Sequence, residues 1–240
     1  MSEWSGGGAD RTEELREGLA RTRARIESAC AAAGRDPAGV TLIVVTKTWP
    51  ADDVRRLAAL GVTDVGENRD QEARAKADET AGLGLTWHFV GQLQTNKAAS
   101  VARYADLVHS VDRVRLVEAL DRGAERAGRR LDCLVEVSLD PDGPPGRGGA
   151  PPEMASEVAD AIAASGHLRL RGVMGVAPLG ADAGPAFMSL AGVLDDLRGV
   201  HPGVDVMSAG MSEDLEQAIA AGATHLRVGS AVLGSRPPLG

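Results

Sequence analysis

Residues 41–66 read TLIVVTKTWPADDVRRLAALGVTDVG. The run 41–46 is apolar and rich in β-branched residues, 51–60 has a helical pattern, and 62–66 is a second short strand pattern. Continuous apolar runs of this length suit strands buried on both faces of a parallel sheet. The same unit repeats along the chain. Strands are expected again over 86–90, 106–111, 131–138, 170–176, 204–208 and 224–228, with helices over 69–81, 95–103, 113–128, 151–165, 185–199 and 212–221. A short segment, 230–234, closes the series. Alternation of this kind gives parallel strands joined by right-handed crossovers, and eight of them close a barrel. The predicted fold is therefore α/β, a single (β/α)8 TIM barrel. An open doubly wound sheet is the alternative, weakened because no GxGxxG follows the first strand. A charged helix capped at Asp10 or Thr12 and running to about Ala33 precedes the repeat. Residues 1–10 are expected to be a disordered tail and 11–240 one domain.

Composition agrees. The chain has 240 residues, 43% of them hydrophobic but only 2% aromatic, so its core must be built from Val, Leu, Ile and Ala. The net charge of −8 argues against a nucleic-acid binder. No run is suited to a signal peptide or a membrane span, which makes the cytoplasm the expected compartment. Cys30 and Cys133 have no metal-ligand spacing, the five histidines form no metal pair, and no metal site is expected.

In a parallel barrel the chemistry lies at the C-terminal strand ends and in the loops that follow. Lys47 ends the first strand, and only Lys76 and Lys97 accompany it among 26 basic residues. A lysine there is either a solvated strand end or a partly desolvated amine able to attack a carbonyl. After the seventh and eighth strands come Ser208-Ala209-Gly210-Met211-Ser212 and Arg227-Val228-Gly229-Ser230. Glycine-rich turns that open helices bind phosphate, and these two loops are its usual place in this barrel. Either alone would serve as an ordinary turn with a serine cap. Together with Lys47 they suit an aldehyde that also carries a phosphate, which is pyridoxal 5′-phosphate (PLP).

Several motifs in order then carry a family resemblance. They are Thr46-Lys47-Thr48, Gly66-Glu67-Asn68-Arg69, Trp87-His88-Phe89-Val90-Gly91-Gln92, Ser110-Val111-Asp112-Arg113, Gly172-Val173-Met174, and the two loops just quoted. Over residues 12–236 the chain resembles the YggS/PROSC pyridoxal-phosphate homeostasis proteins, relatives of the N-terminal barrel of alanine racemase. The resemblance implies a fold-type III barrel with PLP as a Schiff base on Lys47. It implies Asn68 in contact with the cofactor, Met174 near its ring, and Ser208, Gly210, Met211, Ser212, Gly229 and Ser230 in the phosphate segments. It also implies Arg227 facing the pyridine nitrogen, transient contact with PLP-dependent apoenzymes, and a monomer or weak homodimer. Members often carry a lysine after the fifth strand. Here Asp140 to Gly149 has none, and Arg147 is the candidate substitute in a Pro/Gly-rich loop that suits a flexible lid.

Arginine stays protonated, so Arg227 would donate to the ring nitrogen without protonating it, leaving a weak electron sink. A racemase needs a second acid/base group opposite the lysine. The only tyrosine, Tyr104, falls in a helical region between the third and fourth strands. The expected function is PLP binding and homeostasis without robust catalysis, and no catalytic residue is assigned. A low-activity PLP-dependent racemase and a Schiff-base barrel aldolase are the alternatives. His88, His109 and His225 read as core histidines or as histidines that support the site from behind, rather than as bases.

Overall fold

The computed structural model describes residues 7–140 and 148–234, with side chains from Asp10 onward. Eight strands run in chain order around a closed barrel, each parallel to its neighbours. They are β1 (Thr41–Val45), β2 (Asp64–Glu67), β3 (Thr86–Phe89), β4 (Leu107–Val111), β5 (Leu131–Glu136), β6 (Leu168–Met174), β7 (Val206–Ser208) and β8 (His225–Val228). Between them lie α2 (Ala51–Ala59), α3 (Asp70–Glu79), α4 (Ala98–Val101), α5 (Val114–Ala127), α6 (Ala155–Ala164), α7 (Ala183–Val200) and α8 (Leu215–Ala220). The helix preceding the barrel is α1 (Gly7–Ala32), and α9 (Ser230–Leu233) follows β8.

The aliphatic composition determines the core. Ile43, Val44, Val65, Val108, Leu134, Val173, Leu226 and Val228 are fully buried in the strands. Residues such as Val54 and Leu57 of α2 and Leu116 and Leu120 of α5 cover the barrel from outside. The amphipathic helices need this cover, and closure removes the sheet edges that an open fold would leave unpaired. The pairing that closes the ring is β1 with β8, Ile43 opposite Arg227 and Val44 opposite Val228. Residues far apart in sequence thus end side by side at one mouth.

Three expectations shift. The N-terminal helix begins at Gly7, within the stretch read as a tail, so neither Asp10 nor Thr12 is its cap; residues 1–6 lie outside the described part. The seventh helix of the barrel starts at Leu215 rather than 212, because the Asp214 carboxylate accepts from the Met211 N–H at 2.5 Å and holds 211–214 as a turn. The stem of the Pro/Gly-rich loop is pinned to β5, with Ser138 N–H donating to Ala150 O and Ala150 N–H to Glu136 O. Residues 141–147, Arg147 among them, lie outside the described part.

α1 packs against α8, α9 and α2. Arg25 donates to both carboxylate oxygens of Glu216 and to the carbonyl of Ser212. Arg11 binds the buried Asp53 and the carbonyl of Leu233, and stacks 4.3 Å over the ring of Trp49. The extra helix therefore braces the loops after β1, β7 and β8. Among the described residues, no helix is long and apolar enough to cross a membrane.

Candidate functional site

Lys47 lies two residues past the end of β1, half-buried. Its loop is held in an uncommon shape, since Thr48 has φ of 71°, a left-handed conformation that β-branched residues rarely adopt. A buried ion cluster beneath it supplies the restraint. The Lys76 ammonium, 7% exposed, donates to Glu67 Oε1 at 2.6 Å, to Glu72 Oε1 at 2.7 Å and to the carbonyl of Thr46 at 2.8 Å. Glu67 Oε1 also accepts from the Thr46 hydroxyl, and Glu72 Oε1 from the Thr48 N–H. Both residues flanking Lys47 are thus tied to the same three charges. Burial raises the Glu67 pKa above the usual carboxylate range despite the adjacent ammonium. Sequence reasoning noted Lys76 only as a rare lysine. The i,i+4 spacing of Glu72 and Lys76 on α3 was the available signal.

The β7 and β8 loops stand beside Lys47 because β8 pairs with β1. The Arg227 N–H donates to Gly210 O, joining β8 to the loop after β7. Gly210 has φ of 89°, and a Cβ there would sit 2.6 Å from that of Ala218, so only glycine fits. The hydroxyls of Ser212 and Ser230 meet at 3.2 Å between the loops, with the Ala231 N–H reaching Ser212 Oγ. Ser230 and Met211 are exposed at this rim.

Arg227 and Ser208 lie deeper. The Arg227 side chain donates to Ser208 Oγ at 2.6 Å and to Gly175 O at 2.9 Å. These bonds use fewer than the five donors a guanidinium carries. Burial lowers its pKa to about 10, which leaves it charged at neutral pH. Ser208 has a different task from the one expected of it. Its hydroxyl is fully buried and committed to Arg227 and His109, so it holds the arginine rather than lining the cup. Met174, the last residue of β6, is buried with Leu107, Leu134 and Val206 in the barrel interior.

Asn68 follows β2 with its Oδ1 buried and without a hydrogen-bond partner among the described residues. Gly91 is pressed against it, since a Cβ there would lie 2.2 Å from Asn68 O. An orphaned buried amide oxygen costs about 1–3 kcal/mol, a cost relieved when a ligand donor reaches it. A cavity of about 640 Å³ opens beside it between the loops after β2 and β3, lined among others by Arg69, Gln92, Gln94 and Lys97.

The histidines of the strands are more than packing. His88 Nδ1 lies 2.9 Å from His109 Nε2, His88 Nε2 2.9 Å from Asp64 Oδ1, and His109 Nδ1 2.9 Å from Ser208 Oγ. Burial keeps His109 well below the usual histidine range and lowers His225 to about 4. Burial raises the Tyr104 phenol pKa, and the nearby Asp70 and Glu67 raise it further.

Known proteins resemble this chain in sequence and in fold. The sequence model of the alanine racemase N-terminal domain matches residues 19–237. A protein of Mycobacterium bovis named pyridoxal phosphate homeostasis protein is 43% identical over 95% of both chains. The chain belongs to the family of pyridoxal phosphate homeostasis proteins. The structure of a member of this family's fold, PipY of Synechococcus elongatus, was solved with PLP bound; it is 35% identical, covers 92% of this chain and all of its own, and superposes with a TM-score of 0.80. An alanine racemase of Clostridium difficile, 14% identical, shares the barrel with a TM-score of 0.70 over 94% of this chain and 56% of its own.

Proposed function

We propose that this protein binds PLP as a Schiff base on Lys47 and serves intracellular PLP homeostasis, holding the cofactor in the cytoplasm and releasing it to apoenzymes. In this reading the phosphate sits among Gly210, Met211, Ser212, Gly229 and Ser230, Arg227 faces the ring nitrogen, and Asn68 and Met174 border the ring. The observation that carries it is the β1–β8 pairing, which brings the single lysine of the β1 loop beside the Ser212–Ser230 cup, with Arg227 below. PLP supplies an aldehyde that condenses with amines and a ring that withdraws electrons. The chain supplies the rest. Lys47 gives the amine and the condensation releases one water. The Lys76–Glu67–Glu72 cluster fixes the two peptide units beside it. Arg227 stays charged, donates to the ring nitrogen and keeps it unprotonated.

Racemisation would need a second acid/base group facing the cofactor. Tyr104 does not supply one, since its hydroxyl is buried near Asp70 with a raised pKa. Free, buried Cys30 and Cys133 agree with a reducing compartment. The test uses protein reconstituted with PLP and treated with borohydride. The expected result is a yellow protein whose cofactor mass is fixed on the Lys47 peptide and absent from Lys47→Ala. A colourless protein with no added mass refutes the reading. Turnover of an amino acid to its mirror image at enzyme-like rates would replace homeostasis with racemisation.

A further inference from the structure

A continuous hydrogen-bond chain crosses the inside of the barrel. It starts at Asp64, the first residue of β2 and 19% exposed, and passes through His88, His109 and Ser208 to Arg227 near the opposite mouth. The two ends of the chain are fixed by chemistry, since Arg227 only donates and the Asp64 carboxylate only accepts. His88 therefore carries a proton on Nε2 and gives it to Asp64. With its Nδ1 bare, His88 accepts from His109 Nε2, and the bare Nδ1 of His109 accepts from the Ser208 hydroxyl, whose oxygen accepts from Arg227. Burial holds His109 well below the usual histidine range. The Asp64 pKa is lowered because hydrogen bonds from His88 and Thr63 outweigh its burial. All the dipoles therefore point one way, from a carboxylate at one end to a buried guanidinium at the other. Arg227 makes no salt bridge among the described residues, although the Glu136 and Asp214 carboxylates act on it through space, and aligned buried hydrogen bonds reinforce one another.

We infer that Asp64, His88 and His109 are positioning residues for the cofactor, with Asp64 the remote counter-charge that holds Arg227 oriented toward the ring from the far end of the barrel. The inference rests on the PLP reading above and extends it to residues that never touch the cofactor.

The decisive variant is Asp64→Asn, at a half-buried position where a same-sized side chain keeps the fold. Asp205→Asn is the control, because Asp205 immediately precedes β7 at the same end of the barrel and pairs with Arg171, outside the chain. PLP binding by Asp64→Asn should weaken about fivefold, the scale of a modest coupling between sites, with a shift in the cofactor's absorbance band; Asp205→Asn should match the wild type. Equal binding by Asp64→Asn and wild type, or an equal loss in both variants, overturns the inference. Ring-nitrogen NMR of the cofactor-free wild type gives a second, independent check. His88 and His109 should both show protonated Nε2 and bare Nδ1, and the opposite tautomer at either breaks the chain. If the wild type takes up no PLP, the functional reading fails while the NMR result still decides whether the chain exists.

Discussion

Lys76→Met tests the charge cluster that shapes the Lys47 loop. Methionine keeps the length of lysine and removes the charge. Glu67, with its side chain 1% exposed, would lose its ammonium partner and keep only the Thr46 hydroxyl on Oε1, while its Oε2 has no partner to begin with. Breaking a buried ion pair from one side costs about 3–5 kcal/mol, because the remaining charge is stranded. Glu72 is 25% exposed and retains the Thr48 N–H, so its share is small. For a chain of this length the cost lowers Tm by roughly 10 °C. The pH dependence has a definite sign. Burial already raises the Glu67 pKa, and loss of Lys76 raises it further. A carboxyl whose folded pKa lies above its unfolded one contributes stability that is complete below the unfolded value and lost as pH rises through the folded value. The deficit of Lys76→Met should therefore be largest at about pH 8 and shrink toward pH 5. The double variant Glu67→Gln/Lys76→Met, which leaves no stranded charge, should recover most of the loss. Thermal melts of the cofactor-free protein across this range provide the measurement. A deficit under about 1 kcal/mol, or one that ignores both pH and the Glu67 substitution, would refute the assignment of a buried, mutually dependent cluster. The same variant should bind PLP more weakly, since the peptide units on both sides of Lys47 lose an anchor.

Gly210→Ala should destabilise by about 2–4 kcal/mol through a disfavoured φ and a Cβ forced against Ala218, and should impair phosphate-dependent PLP uptake more than uptake of unphosphorylated pyridoxal; equal effects on both would remove the cup from this loop. His225 should titrate by proton NMR with a midpoint of about 4, while His109 stays neutral well below the usual histidine range. Because these folded pKa values are depressed, the stability they contribute is present above about pH 6.5 and declines as pH falls toward the folded values; midpoints near 6.5 for both would show that neither ring is enclosed. Gly91→Ala should displace Asn68 and lower PLP affinity, and unchanged affinity would separate Asn68 from the cofactor.

Much of the architecture is written locally. The run 41–46, the helical pattern 51–60 and their repeats follow from the spacing of apolar residues, which neighbours along the chain determine. The same reading put Lys47 at a strand end and the glycines and serines of 208–212 and 229–230 in loops. Boundaries suffered where a side chain competes with the backbone, as when Asp214 takes the Met211 N–H and delays α8. The tasks of individual residues depended on closure of the ring. Ser208 read as a phosphate contact, yet the stagger of the strands aims its hydroxyl at Arg227 and His109 inside the barrel. His88 and His109 read as core or supporting histidines with no partner assigned, and Lys76 as an ordinary rarity. Periodicity reports which face a side chain takes, but the partner it meets there is fixed by strand tilt and register across the whole barrel. The sequence by itself determined the barrel and the lysine at its mouth. Only the tertiary structure decided that Lys76, Glu67 and Glu72 hold the loop of that lysine, and that Arg227 is linked to Asp64 at the other end.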